Sequence, residues 1–311
     1  MQNIQIEELD KFSPEIRKIW QQDLKALPRS NLFQDPDFAE AISTAGKSNY
    51  RLYIIKENQK ILAKFVIFET TYFGFIKHRK IIRGPVFKAP PMPSELSSIL
   101  NLIKRTGRLR NFEITTLQPE LPDTEAMRKT LAGANLSRIQ TGYESIWIDL
   151  SLSIDSLRKN LDGKWRNQLS KSEKSDLAFK LDAQEAADWL LEHQSEFQRQ
   201  KRYQSIDTNI YLGLPEHKKS LYAVYNGETI IGAALFALHG KCATYAVGYV
   251  SPEGRNLNAN NYLMWQSLIS LKMRGIDALD IGGIGSYATP EITRFKSRMG
   301  GAPFTLVGTY L

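Results

Sequence analysis

The 311-residue sequence holds a single cysteine, Cys242, which excludes an intrachain disulfide and a cysteine-rich zinc site. Its four histidines, His78, His193, His217 and His239, fall in no HExxH or comparable metal-ligand spacing. No GxGxxG opens a helix after a first strand, no GxxxxGK(S/T) is present, and there is no GxSxG elbow. Dinucleotide, P-loop and serine-hydrolase chemistry therefore lose their usual carriers. No apolar run approaches the ~18 residues that a membrane span needs. The opening segment, MQNIQIEELDK, lacks the basic start and apolar core of a secretory signal. With 42% hydrophobic and 24% charged residues the composition is ordinary and globular, so a cytoplasmic enzyme or binding protein remains.

Positive charge is in excess. Lys and Arg number 41 against 33 Asp and Glu, a net charge of +8. Such a balance suits a phosphate-bearing ligand, tRNA or an anionic membrane surface, and equally a positive face that is merely solvated. The length is enough for about two domains of ~100–200 residues.

The pattern of elements is written twice. RLYIIK reads as a strand, Glu57-Asn58-Gln59-Lys60 as a turn, and ILAKFVIFE and KIIRGPVF as further strands. SELSSILNLIKRTG places Leu96, Ile99, Leu100 and Ile103 on one helical face, and FEITTL is the next strand. In the second half SLYAVY, the turn Asn226-Gly227-Glu228, TIIGAALFAL and CATYAVGYV repeat the order. A helix over 258–274 and the strand DALDI complete it. The seam falls between YESIWIDL and SLSIDSL, where Ser153 and Asp155 are candidate helix caps. Two mixed α/β domains follow, 1–145 and 146–311, each a mostly antiparallel mixed sheet with flanking helices.

Four segments carry candidate chemistry. The run RKNLDGKWRNQLSKSEK presents Lys164, Arg166, Lys171 and Lys174, with Trp165 and Leu169 turned inward at i,i+4. It is either a solvated basic face or a contact for phosphate or RNA backbone. The turn Arg255-Asn256-Leu257-Asn258-Ala259-Asn260 joins a strand to a helix whose first N–H groups favour anions or carbonyl oxygens. Asn258 and Asn260 are ligand contacts or caps. LDIGGIGS ends a strand in Gly282-Gly283, which lets a backbone or a ligand come close. Phe295-Lys296 is followed by Gly300-Gly301. Cys242, within an apolar strand pattern, reads as a buried structural thiol.

These segments, taken in order with NLFQDPDFAEA and RGPVF, resemble the Fem-type peptidoglycan-bridge aminoacyltransferases, which consist of two GNAT-like domains. The resemblance runs over most of the chain and is densest in the second half. It implies transfer of an amino acid from aminoacyl-tRNA to an amine on a cell-envelope precursor of peptidoglycan type. It implies no metal or redox cofactor, no DNA partner, and a cytoplasmic site of action, at the inner face of the membrane if the protein touches one. The family's Phe-Lys pair matches Phe295-Lys296, with Lys296 as the catalytic residue. Tyr211 matches a residue at the acceptor cleft, whereas Ile42, Gln118 and Asp207 stand where some members hold the sugar-nucleotide acceptor with charged side chains. The interval 170–215 is too short for the family's long helical arm. GNAT proteins that use coenzyme A carry (R/Q)xxGx(G/A) where this chain has Arg255 to Asn260, so coenzyme A is not expected as donor. An acyl-CoA or acyl-carrier N-acyltransferase, and a noncatalytic RNA- or glycan-binding module, remain as alternatives.

Overall fold

The computed structural model describes residues 4–9, 11–58, 60–107, 111–201 and 206–311, with backbone only for 195–201. The first half runs β1 (Ile4–Leu9), α1 (Pro14–Ala26), α2 (Pro36–Thr44), β2 (Asn49–Glu57), β3 (Lys60–Tyr72), β4 (Ile76–Ile82), β5 (Val86–Phe87), α3 (Pro93–Lys104), β6 (Glu113–Gln118), α4 (Glu125–Gly133) and β7 (Arg138–Gln140). The second continues with β8 (Glu144–Asp149), α5 (Ile154–Asn160), α6 (Gly163–Ser172), β9 (Leu177–Leu181), α7 (Glu185–Lys201), α8 (Thr208–Leu212), β10 (Lys219–Asn226), β11 (Thr229–His239), β12 (Cys242–Val250), α9 (Pro252–Asn256), α10 (Ala259–Met273), β13 (Ala278–Asp280), α11 (Pro290–Ser297), β14 (Ala302–Thr305) and β15 (Thr309–Tyr310).

Two sheets result. One has the order β1-β2-β3-β4-β6-β15-β7, with β5 added to β3, and the other β14-β8-β13-β12-β11-β10-β9. The sequence duplication is thus real in three dimensions: β2-β3-β4-α3-β6 corresponds to β10-β11-β12-α10-β13. In each sheet the strands flanking that helix are parallel, β4 with β6 and β12 with β13. The architecture is the mixed α/β pair of GNAT-like sheets that the sequence led us to expect.

Local chemistry accounts for the elements. Leu96, Ile99, Leu100 and Ile103 are all buried, as their spacing on α3 requires. Ser153 caps α5 by accepting from Ser156 N; Asp155 lies in the first turn instead. Asp162 caps α6, accepting from Lys164 N and Trp165 N, and Trp165 and Leu169 then point into the core. β11, buried along almost its whole length, is the continuous apolar run of a central strand.

Two expectations need correction. KIIRGPVF is not one strand: Arg83 adopts φ +52° and Pro85 has no N–H to donate, so the chain leaves β4 and re-enters as β5. The division at 145/146 is also too simple. The first compact unit comprises the segment ending at Ala26, Phe33–Glu144 and Phe304–Leu311; the second comprises Leu27–Leu32 and Ser145–Pro303. The C-terminus returns because Tyr310 pairs with Leu117 and Arg138, and Leu311 exchanges two backbone hydrogen bonds with Ser137. The Leu27–Leu32 strap joins the second unit because Ser30 Oγ donates to His239 O (2.9 Å) and Ser30 N donates to Cys242 Sγ (3.4 Å). Cys242 is fully buried, and burial raises its thiol pKa, which keeps it a structural thiol.

Gly300-Gly301 makes the exit from α11. Gly300 has φ +78°, and a Cβ on Gly301 would lie 2.5 Å from Trp147 O and 2.4 Å from Ile146 Cγ2. Gly301→Ala is therefore expected to destabilise the protein by about 1–3 kcal/mol through overpacking. Gly133→Ala, in a helix with nothing within 4 Å of the added carbon, should instead be neutral or stabilising by up to ~1 kcal/mol. Urea denaturation of the two variants checks the pair; equal effects would contradict this close approach.

Candidate functional site

The two parallel strand pairs differ in one respect. In the first unit β4 and β6 stay paired from Lys77↔Glu113 to Ile82↔Gln118. In the second unit β12 and β13 pair only at Cys242↔Ala278, Ala243↔Leu279 and Thr244↔Asp280. Beyond that point β12 follows β11 as far as Val250, with a register shift at Leu235/Phe236, while Ile281 N bonds to Ile146 O on β8. The strands part, and among the described residues the edge of Ala246–Val250 away from β11 faces no strand. A cleft of about 390 Å³ fills the gap, bordered by Tyr245 to Val250, Gly282-Gly283, Asn260 and the inner face of α11.

The apex is built by groups far apart in sequence. Asp280 is fully buried; its Oδ1 accepts from Ser145 Oγ (2.5 Å) and from Gly282 N (3.0 Å). This turn sets Gly282 at φ +75°, where a Cβ would stand 3.0 Å from Tyr245 O and 3.2 Å from Lys296 Nζ. Lys296 Nζ donates to Gly283 O (3.0 Å) and lies 5.5 Å from the Tyr245 ring centroid. Lys296 is only 8% exposed. Burial lowers its pKa to about 8, against a smaller upward pull from Asp280. Thr289 caps α11 by accepting from Ile292 N, and Phe295 packs on Trp165 with ring centroids 5.8 Å apart. These contacts fix the direction in which Lys296 enters the cleft.

Of the residues singled out from sequence, Phe295, Lys296, Gly282, Gly283 and Asn260 meet in this cleft. Lys164 and Arg166 do not: Lys164 is exposed on α6, and Arg166 donates to Leu161 O (3.4 Å). Tyr211 is buried in α8, away from the cleft lining, and Asp207 caps that helix by accepting from Asn209 N. Asn258 does not line the cleft and makes no side-chain cap. It takes the left-handed conformation (φ 55°, ψ 30°) just before α10, with no side-chain capping bond. Asn tolerates that conformation better than other non-glycine residues, so Asn258 does a glycine's backbone work in the turn. Asn260, in the first turn of α10, is half-buried and lines the cleft. Among the described residues the interval 170–215 holds the end of α6, then β9, α7 and α8.

The sequence reading missed Tyr245, Arg255 as a lining residue, Asp280 and Ser145. The alternation in CATYAVGYV was a usable signal for Tyr245. Ser145 carried none, because only the fold brings it to Asp280. A larger cavity, about 860 Å³, lies in the first unit beside β6. Its charged side chains are engaged, with Lys104 Nζ donating to Asn135 O and Glu113 3.9 Å from Arg79. It therefore has no group comparable with Lys296. Among the described residues no cluster of His, Cys, Asp and Glu is arranged to hold a metal ion.

A parted strand pair with a helix starting at its mouth is the arrangement of the GNAT fold, and residues 156–297 match the family model described as acetyltransferase (GNAT) domain. That segment holds Tyr245, Gly282 and Lys296. Over the whole chain the fold is that of the Fem-type tandem GNAT proteins. FemX superimposes with a TM-score of 0.80 at 13% identity, over 98% of this chain and 96% of that one. A conserved protein of unknown function from Bacteroides thetaiotaomicron gives a TM-score of 0.62 at 10% identity, over 100% and 98% of the two chains. A tandem GNAT protein from the clavulanic acid biosynthesis pathway gives 0.56 at 9% identity, over 99% and 98%. A search of curated proteins found no sequence match.

The buried lysine has a thermodynamic consequence. Folded, Lys296 releases its proton near pH 8; unfolded, near the ordinary 10.5. Between those values the unfolded chain holds more protons, so stability rises with pH across the window, and below it the cost of burying the cation is present in full. Lys296→Met is expected to be more stable than the natural protein at pH 7 by on the order of 2–3 kcal/mol. The advantage should shrink from pH 8 upward and disappear near 10.5. Thermal or urea unfolding as a function of pH measures this; a variant less stable at pH 7 would show that the cation is not penalised by its surroundings.

Proposed function

We propose that this chain transfers an aminoacyl group from aminoacyl-tRNA to an amine on a cytoplasmic cell-envelope precursor. The observation that carries the reading is the buried Lys296 ammonium at the apex of a cleft whose wall is an open strand edge. An extended acyl chain can lie along Ala246–Val250 and exchange backbone hydrogen bonds there, which would bring its ester carbonyl towards Lys296. The amine nitrogen attacks the carbonyl carbon, a C–N bond forms, and negative charge collects on the carbonyl oxygen. Collapse breaks the bond to the ribose oxygen, which leaves with a proton, and the nitrogen loses one. A cation at the apex stabilises the oxyanion and the leaving oxygen more than the ground state.

The fold shared with FemX and the match of Phe295-Lys296 to the Fem-type pair support the aminoacyl reading over plain acetyl transfer. The start of α10 argues the same way. Asn258 preserves the turn, yet Asn260, which lines the cleft at the start of α10, adds a side chain where a pyrophosphate would need close approach to bare backbone. A second reading rests on the lowered pKa of Lys296: a fraction of the amine is neutral at pH 7, and a neutral amine can take the acceptor's proton.

Lys296→Met should lose ~10²–10³ in turnover, the scale of one oxyanion donor, with the fold intact. In the natural protein kcat/KM should fall as pH rises through about 8, where the cation is lost. A kcat/KM that instead rises through pH 8 would make Lys296 a general base, and near-normal turnover in the variant would make it a mere buried cation.

The exposed lysines near the end of α6, Lys171 and Lys174, supply the tRNA contact in this proposal. Affinity for charged tRNA should fall steeply with salt, and Lys171→Glu with Lys174→Glu should flatten that slope by about 1–2. Calorimetry with acetyl-CoA and longer acyl-CoAs completes the test. Saturable micromolar acyl-CoA binding, with unchanged RNA affinity in the double variant, would replace tRNA by coenzyme A as donor.

A further inference from the structure

The first unit carries a feature that acyl transfer does not use. Large apolar side chains are exposed at scattered places on the chain, but five of them gather at one end of the first sheet. The β3–β4 turn holds Tyr72, Phe73 and Phe75; Phe112, just before β6, and Ile114 on that strand sit beside them. Phe73 is 87% exposed, Phe112 59% and Phe75 53%. Register fixes the grouping. Tyr72 opposes Ile76 across the turn, Lys77 N donates to Phe112 O (2.9 Å), and Lys77 and His78 pair with Glu113 and Ile114. Phe75 and Phe112 meet edge to face with centroids 5.3 Å apart. Phe73 has φ +52° and is followed by Gly74 at φ +78°, so the turn presents its ring at the tip and leaves it outside the sheet's own packing.

Basic residues stand directly behind this tip. Lys77 and Lys80 are on β4, and Lys104 and Arg105 end α3, whose next residue, Thr106, binds Arg79 through its carbonyl. Lys47 precedes Ser48, whose hydroxyl is 2.7 Å from that of Thr70 on β3. Of the acidic residues on these segments, Glu69 and Glu113 face the buried Arg79, at 3.7 and 3.9 Å, and Glu95 lies in the first turn of α3, at the end opposite Lys104. The result is an apolar point with a cationic collar.

We propose that this end of the first unit docks the protein on an anionic lipid bilayer, with the aromatic turn seated among the headgroups and acyl-chain ends. Aromatic rings gain by leaving water for the interfacial layer, and each nearby Lys or Arg adds attraction to anionic lipid. The alternative occupant, single-stranded RNA, is the weaker fit. Stacking of bases needs ring faces laid along a groove, whereas Phe73 protrudes from a convex turn and most of the cluster has no polar handle. The proposal goes beyond the transfer reaction and stands without it, since it rests on the first unit alone.

The test is co-sedimentation of the full chain with vesicles of phosphatidylcholine alone and of phosphatidylcholine with phosphatidylglycerol. The natural protein should bind the anionic vesicles, bind them less at high salt, and bind the neutral ones weakly. Phe73→Ser with Phe75→Ser should lower partitioning by about tenfold or more. Lys47→Glu with Arg105→Glu, which leaves the rings in place, should abolish the preference for phosphatidylglycerol. Circular dichroism identifies a variant that has lost its fold, and the charge-reversed variant then stands alone as the test. Absence of vesicle binding by the natural protein overturns the proposal, as does binding that neither variant changes. Loss of single-stranded RNA affinity in the aromatic variant, without vesicle binding by the natural protein, would assign the surface to nucleic acid.

Discussion

After Thr244 and Asp280 two parallel strands stop exchanging backbone hydrogen bonds, and the second unit is arranged around that loss. A parted strand pair leaves polar backbone without its usual partners, which costs free energy unless something else fills the gap. Here the parting is fixed at one point. Asp280, fully buried, takes hydrogen bonds from Ser145 and from the Gly282 amide, and so turns the chain away from β12 where the ladder ends. That carboxylate, together with Ser145 Oγ donating to Gly282 O (2.8 Å), holds Gly282 in its left-handed turn and so leaves Gly283 O within reach of Lys296.

The same apex explains why a cation is kept in so poor a solvent. Lys296 has one backbone carbonyl, the face of Tyr245 and the field of Asp280, which do not replace the water it has lost; its lowered pKa records the deficit. A site that destabilises its own charged group is a common price of activity, and under the proposed function the charge would be used when a developing oxyanion arrives. In the first unit the equivalent strands pair along their full length, and the buried lysine beside them, Lys64 on β3, is ion-paired with Asp23 (2.6 Å). The duplicated pattern therefore has one copy whose parallel strands part around a cleft and one whose strands stay paired, and the paired copy carries a different surface, the aromatic turn between β3 and β4.

Much of the architecture was legible in the sequence because it rests on periodicity. The 3.6-residue spacing of Leu96, Ile99, Leu100 and Ile103, the alternating strands, and turn residues such as Asn226-Gly227 each act over a few residues and need no distant partner. The repeat of strand, turn, strand, strand, helix, strand followed from them. The boundary between units was less legible because β15 is two residues long and the Leu27–Leu32 strap has no regular structure. Both are held by pairings more than 150 residues away in sequence, with Leu117 and with His239 and Cys242.

By itself the sequence determined the two mixed α/β sheets, the inward placing of Trp165 and Leu169, the buried character of Cys242, and the pairing of Phe295 with Lys296. Those properties depend on side-chain type and short-range spacing. Tertiary structure alone decided that Lys296 is buried beneath Gly282, that Asn258 serves through its backbone, that Lys164 and Arg166 stand outside the cleft, and that Ser145 holds Asp280. Each of these depends on which strands part and which stay together. That choice is settled by a hydrogen bond between residues 135 positions apart, a separation at which local pattern carries no information.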